Sequence, residues 1–205
     1  MIGILDYGAG NLGSVSYAFL RIKAKSRIVK TPDEISQCSG LVIPGVGAFK
    51  TGMAGLKPMK EAVIEFAKSG KPLLGICLGM QILFEKGTEG GDTAGLGIIK
   101  GIVEKIAAPK LPHVGWNQVK QVKSSKLFAG INDNSYFYFV HSYVCKPKTL
   151  ESIAGSTDFY GQFASSVEQD SIFGVQFHPE KSGEAGQRML KNFWRMVKNG
   201  SYTSD

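Results

Sequence analysis

Reactive side chains are scarce in this chain. Its 205 residues include three cysteines, three histidines and two tryptophans. Cys38, Cys77 and Cys145 are odd in number and far apart, and no Cys-x-x-Cys occurs. A disulfide framework or a zinc site is therefore not expected, and a reducing cytoplasmic setting is the simplest home. No apolar run approaches the roughly 20 residues of a membrane-spanning helix. The opening Met1-Ile2-Gly3-Ile4-Leu5-Asp6 lacks a basic leader and reads as a strand from the outset, so no membrane and no export signal are expected. Repeats and low-complexity segments are missing too. Acidic residues number 17 against 24 basic ones, for a net charge of +7. Lys105, Lys110, Lys120, Lys123 and Lys126 form a loose basic stretch without regular aromatic interleaving. That pattern fits a solvated face better than a nucleic-acid groove.

What is present is an ordinary globular composition, 43% hydrophobic and 20% charged, with length for one domain, expected over 1–198 with a fraying tail at 199–205. Strand and helix patterns alternate in the first half: strands at Ile2–Asp6, Ser26–Lys30, Leu41–Pro44 and Lys71–Ile76, helices at Asn11–Lys23 and Pro58–Lys68. The second half reads as strands at Ile98–Ile106, Gln118–Val122, Tyr136–Tyr143, Ile153–Ser156, Phe163–Val167 and Ile172–Gln176, then a helix at Glu184–Asn199. The fold class expected is α/β: a mixed, mostly parallel central sheet flanked by helices, with additional antiparallel strands in the second half.

The stretch Leu73-Leu74-Gly75-Ile76-Cys77-Leu78-Gly79-Met80-Gln81 carries the chemistry. A buried-strand run ends at a cysteine flanked by glycines two residues to either side. An amphipathic helical pattern (Met80, Leu83, Phe84) is expected to follow. This is a nucleophile elbow, whose tight turn excludes bulky neighbours and sets backbone N–H groups near the sulfur. Cys38 and Cys145 lack such glycines and read as structural.

A cysteine nucleophile needs a base. His113 lies in a Pro/Gly loop and His141 follows the aromatic run Tyr136–Phe139. His178 ends the strand pattern Phe173–Phe177 and precedes Pro179-Glu180. Chemistry in α/β sheets collects at the carboxyl ends of strands, where Cys77 and His178 both fall. Glu180, two positions on, reaches the second imidazole nitrogen through a short turn. Pro44-Gly45-Val46-Gly47 ends a neighbouring strand, and its glycines allow a backbone N–H to face the nucleophile. The N–H of Leu78 is the second candidate oxyanion donor. Gly8-Ala9-Gly10-Asn11-Leu12-Gly13 fits a dinucleotide fingerprint, but no acidic residue closes the second strand, so a tight turn is the preferred reading.

Gly75–Gln81 together with Phe177-His178-Pro179-Glu180-Lys181-Ser182 resembles the triad (class I) glutamine amidotransferases. Asp6–Leu12, Pro44–Gly47, Met80 and Pro112-His113-Val114-Gly115-Trp116-Asn117 narrow the likeness to the glutaminase subunits of imidazole glycerol phosphate synthases. The resemblance implies hydrolysis of glutamine to glutamate and ammonia, with Cys77 as nucleophile, His178 as base and Glu180 orienting it. Val46, Gly47 and Leu78 would hold the oxyanion. Gly45, Gln81, Glu89, His141, Ser142 and Tyr143 would contact the amino-acid part of glutamine. No metal or organic cofactor is implied. The implied partner is a separate (β/α)8-barrel cyclase subunit that receives the ammonia, with Asn11, Trp116, Asn117 and Lys181 near the interface. The Pro44–Gly47 loop is expected to rest in a non-productive form until that partner is loaded. A glutaminase subunit of another ammonia-using synthase, a stand-alone γ-glutamyl hydrolase and a non-catalytic subunit remain the rival readings.

Overall fold

The structure, a computed structural model, describes residues 1–200; positions 201–205 of the expected tail lie outside the described residues. Four short strands, β1 (Ile2–Leu5), β2 (Ser26–Val29), β3 (Gly40–Ile43) and β4 (Leu73–Ile76), form a parallel sheet in the order β2-β1-β3-β4. A late strand, β13 (Ile172–Val175), adds to β4, also in parallel. Beyond it the direction reverses. β12 (Gln162–Gln169), β10 (Tyr143–Pro147) and β7 (Ile99–Lys105) follow as antiparallel neighbours, and β5 (Phe84–Gly87) and β6 (Thr93–Ala94) close that edge. Two further strands, β8 (His113–Gln121) and β9 (Ser135–His141), make a hairpin joined to β12 through β11 (Ile153–Asp158). The sheet is mixed, with its parallel half built from the first half of the chain plus β13.

Side chains alternate across this sheet. Ile4, Val42, Leu74 and Ile76 face one apolar layer with Phe19 of α1 (Leu12–Arg21) and Leu190 and Phe193 of α6 (Gly183–Asn199). Leu5, Leu41, Ile43 and Leu73 face the other, with Ile35 of α2 (Pro32–Ser36), Leu56 of α3 (Phe49–Leu56) and Val63 of α4 (Lys60–Lys68). Leu73, Leu74 and Ile76 are at most 1% exposed, each burial being worth about 1.5–3 kcal/mol. This double packing fixes β4, and β4 carries the elbow.

The structure differs from the sequence reading at several points. The helix after Cys77, α5 (Leu78–Gln81), lasts one turn; Phe84, expected on its apolar face, starts β5. The N–H groups of Gly95, Leu96, Gly97 and Ile98 bond the carbonyls of Glu85, Ile82, Phe84 and Leu83, which a longer helix would have needed. Helix α3 has no counterpart in the sequence reading because glycines weaken helices. Gly55 is needed there, since a side chain would strike the Tyr7 carbonyl. Thr31 and Glu34 form a capping box for α2, with Pro32 in the first turn. Finally, His113 lies on β8 rather than in a loop, directly opposite His141 of β9, and the expected strand Tyr136–Tyr143 breaks at Ser142 into β9 and β10. No helix among the described residues is long and apolar enough to cross a membrane.

Candidate active site

Cys77 joins β4 to α5 with φ 55 and ψ −110, a sparsely populated conformation for a residue with a side chain. It is accommodated because the residues two positions to either side are glycine. A Cβ on Gly75 would come within 2.5 Å of the Gly79 carbonyl oxygen, and one on Gly79 would collide with the Ile43 carbonyl. The two glycines of the elbow are therefore steric necessities. The Cys77 N–H donates to the Val175 carbonyl at 2.7 Å, which ties the elbow to β13. Leu78 opens α5, so its N–H has no acceptor within the helix.

β4 and β13 run in parallel with Ile76 beside Val175. Cys77 and the segment Gln176-Phe177-His178 thus leave the sheet at the same edge. Pro179–Lys181 forms a single 3-10 turn, and this turn returns Glu180 to His178. Nδ1 of His178 lies 2.7 Å from Glu180 Oε1, with side-chain exposures of 3% and 2%. Nε2 of His178 is buried and has no partner of regular hydrogen-bond geometry among the described residues. The Cys77 sulfur is nevertheless the leading group that favours a proton on this ring. Burial by itself pushes the imidazole pKa down; Cys77 and then Glu180 more than reverse this and raise it to about 10. Both the sulfur and the carboxylate thus favour the protonated ring. Ser182 braces the turn: its hydroxyl donates to the His178 carbonyl at 2.6 Å and accepts from the Tyr138 N–H at 3.0 Å.

A cavity of about 280 Å³ opens over the sulfur, lined by Val46, Gly47, Cys77, Leu78, Gln81, Glu89, Pro112, Val140, His141, Ser142 and Tyr143. All candidate oxyanion residues and all candidate substrate contacts except Gly45 line it. Gly45 has a packing role instead: a Cβ there would approach Leu78 and the Gly79 nitrogen within 2.8 Å. Gly47 has φ +103, a backbone state suited to glycine. The preceding Pro44 carbonyl accepts from the buried Tyr7 hydroxyl at 2.7 Å; burial, then Cys77, pushes the Tyr7 pKa upward. Glu89 accepts from the Phe49 N–H at 2.7 Å, at the start of α3, which leaves a carboxylate at the cavity wall.

The two other histidines are committed elsewhere. Nδ1 of His141 is 2.9 Å from the Tyr143 carbonyl, which only accepts, so this nitrogen carries the proton. Nε2 of His141 then accepts from His113 Nδ1 at 3.0 Å, and His113 Nε2 accepts from Asn117 Nδ2 at 3.3 Å. Both rings are neutral in this chain of bonds. Burial, with smaller opposition from the Tyr143 carbonyl, lowers the His141 pKa to about 3, and burial lowers that of His113. His141 has no nitrogen free to serve as a second base.

The expected interface residues separate. Strand alternation turns Trp116 outward, 55% exposed, against Tyr138 at 6.1 Å. Lys181 Nζ lies 5.7 Å over the same Tyr138 ring. Asn117 points the other way and donates to the Asp158 carbonyl as well as His113. Asn11 caps α1 by accepting from the Ser14 N–H. Gly10, in the turn before it, packs against the Pro44 and Gly45 backbone. Sequence reasoning did not single out Ser182, Tyr7 or Gln176, although Ser182 and Tyr7 lay within the motifs that carried the resemblance.

Residues 3–197 match the family described as Glutamine amidotransferase class-I. Similar proteins include Imidazole glycerol phosphate synthase subunit HisH of Desulfitobacterium hafniense, 45% identical over 100% of this chain and 98% of that one. The protein of the same name from Methanocaldococcus jannaschii is 48% identical over 96% of this chain and 100% of its own. Among solved structures, a glutamine amidotransferase from Thermotoga maritima has a TM-score of 0.67 at 17% identity, covering 97% of this chain and 84% of that chain. The elbow cysteine, the buried His178–Glu180 pair and the match across nearly the whole sequence agree: the chain belongs to the class I glutamine amidotransferases, with a Cys-His-Glu triad.

Proposed function

We propose that this chain is the glutaminase subunit of an imidazole glycerol phosphate synthase. It hydrolyses glutamine to glutamate and ammonia and passes the ammonia to a (β/α)8-barrel cyclase subunit of histidine biosynthesis. The observation that carries the chemistry is the buried His178–Glu180 pair at 2.7 Å leaving the sheet at the same edge as the elbow Cys77, beside a cavity of about 280 Å³ that Cys77 lines. Similarity above 40% identity to HisH subunits over their whole length supports the assignment among amidotransferases.

Cys77 attacks the side-chain amide carbon of glutamine as a thiolate. The carbonyl oxygen takes the developing negative charge and is received by N–H groups at Val46–Gly47 and Leu78. His178 gives a proton to the amide nitrogen, the C–N bond breaks and ammonia leaves. His178, now neutral, takes a proton from water, whose oxygen attacks the thioester and releases glutamate and the Cys77 thiolate. Glu180 keeps the His178 tautomer and stabilises its cation. Glu89 receives the substrate ammonium, and the Ser142–Tyr143 break shapes the opposite wall. Trp116 and Lys181, which share the Tyr138 ring, face the cyclase. The setting is cytoplasmic, and no cofactor takes part.

The deciding experiment is a glutaminase assay of the purified chain alone and with the cyclase subunit plus its substrate. Hydrolysis that depends on Cys77 and rises with the loaded partner is expected. Equal rates with and without the partner would favour a stand-alone γ-glutamyl hydrolase. No hydrolysis in either state would overturn the proposal.

A further inference from the structure

The geometry points to Gln176 as a further catalytic residue: its side-chain amide donates to the Cys77 sulfur and stabilises the thiolate. This rests on the reading of Cys77 as the nucleophile. Gln176 is one position past the Val175–Ile76 pair that joins β13 to β4, and it is wholly buried. Its Nε2 is 3.6 Å from Cys77 Sγ.

The orientation of this amide is set by bonding logic. The Tyr143 carbonyl is acceptor-only, so the atom of Gln81 that faces it at 3.1 Å must be the amide nitrogen. The same Gln81 Nε2 is 3.0 Å from Gln176. Having donated one hydrogen to Tyr143, it donates the other here, so the facing atom of Gln176 is Oε1. The opposite end, Nε2, then meets the sulfur. A flipped Gln176 would set two N–H donors against each other and aim a carbonyl oxygen at the thiolate. The main chain adds a further restraint, since the Gln176 N–H donates to the Ser165 carbonyl at 2.9 Å. Gln176 therefore supplies a fixed, neutral donor from a fully buried position. A sulfur anion needs such a donor, and the neutral thiol gains less from it.

His178 is a different kind of partner, because it must give up and regain a proton in each cycle. The Gln176 donor is present at every stage. Gln81, through which the orientation is imposed, is a positioning residue and contributes at most Oε1 to a ligand in the cavity.

The test is iodoacetamide alkylation of Cys77, located by peptide mass mapping, as a function of pH in wild type and Gln176→Met. We expect Cys77 alkylation in the variant to slow roughly ten-fold at neutral pH, the effect of losing one donor to a charged acceptor, and its pH profile to move toward higher pH. An unchanged profile in a folded variant would overturn the assignment. If Gln176→Met does not fold, wild-type protein labelled with 15N in its glutamine side chains decides. The Gln176 amide protons should shift with pH in step with Cys77 alkylation, and the shift should vanish in Cys77→Ser. An amide signal that ignores pH would reject the proposal. Neither readout needs glutamine turnover, so failure of the glutaminase assay and failure of this inference are distinct outcomes.

Discussion

Glu180 and His178 are two residues apart in the chain, and their carboxylate oxygen and ring nitrogen meet at 2.7 Å in a site almost closed to solvent. Replacing Glu180 with Gln keeps the shape and removes the charge. The imidazolium required in the leaving-group step then loses a stabilising partner. We expect kcat in the complex to fall by roughly 10²–10⁴, the usual scale of positioned acid–base catalysis. Steady-state assays of Glu180→Gln at saturating glutamine test this.

The buried His178 contributes to stability with a defined sign: against burial, Cys77 first and Glu180 second favour its protonated form. His178 is raised from 6.5 to about 10 in the folded protein. Its contribution is complete below pH 6.5 and is lost as pH climbs toward 10. Urea midpoints of wild type should decline across that window, and those of Glu180→Gln should decline less. Equal slopes would contradict the pairing.

His141 acts in the opposite direction. Its folded pKa is lowered to about 3, so its contribution is present above pH 6.5 and disappears as pH falls toward 3. The unfolded chain binds the extra proton there, at about 1.4 kcal/mol per pH unit. His141→Gln should remove about one proton from the uptake on unfolding near pH 5, measured as the pH slope of unfolding free energy. The remaining slope includes His113, which is lowered in the same sense.

Gly79 and Gly130 offer a steric contrast. A Cβ at Gly79 would run into the Ile43 carbonyl, whereas Gly130, at φ +69, has open space around it. Gly79→Ala should destabilise by more than about 3 kcal/mol, because backbone must move. Gly130→Ala should cost about 1 kcal/mol, the left-handed strain alone. Chemical unfolding of both variants checks the difference.

Glu89 offers a prediction about binding. Its carboxylate reaches the cavity while capping the Phe49 N–H. Glu89→Gln retains an acceptor for Phe49 and loses the charge facing a substrate ammonium. KM for glutamine should rise roughly ten-fold or more, with kcat changed much less. A fall in kcat at constant KM would assign Glu89 elsewhere.

The elbow is legible in the sequence because steric demand leaves a mark: Gly75 and Gly79 stand where the backbone closes on itself. His178-Pro179-Glu180 is legible because its contact is local, within one turn. Gln176 leaves no mark, since a glutamine between Val175 and Phe177 gives no sign of which side chains it will meet at the elbow. The run from Met80 to Phe84 suggests a longer helix because an apolar spacing cannot register that Gly95–Ile98 will claim its carbonyls. The loop reading of His113 fails for a related reason: Pro112 and Gly115 surround it, yet pairing with β9 overrides their local preference.

The place of β13 in the sheet bears on how the enzyme comes into being. This strand is nearly the last element along the polypeptide, yet it inserts between β4 and β12. During synthesis the thiol emerges about 100 residues before its general base. A partly made chain therefore holds Cys77 without His178 or Glu180, and the three come together only when the last 34 residues, from β13 onward, are in place. Late insertion thus defers assembly of the triad until the cleft around it is complete.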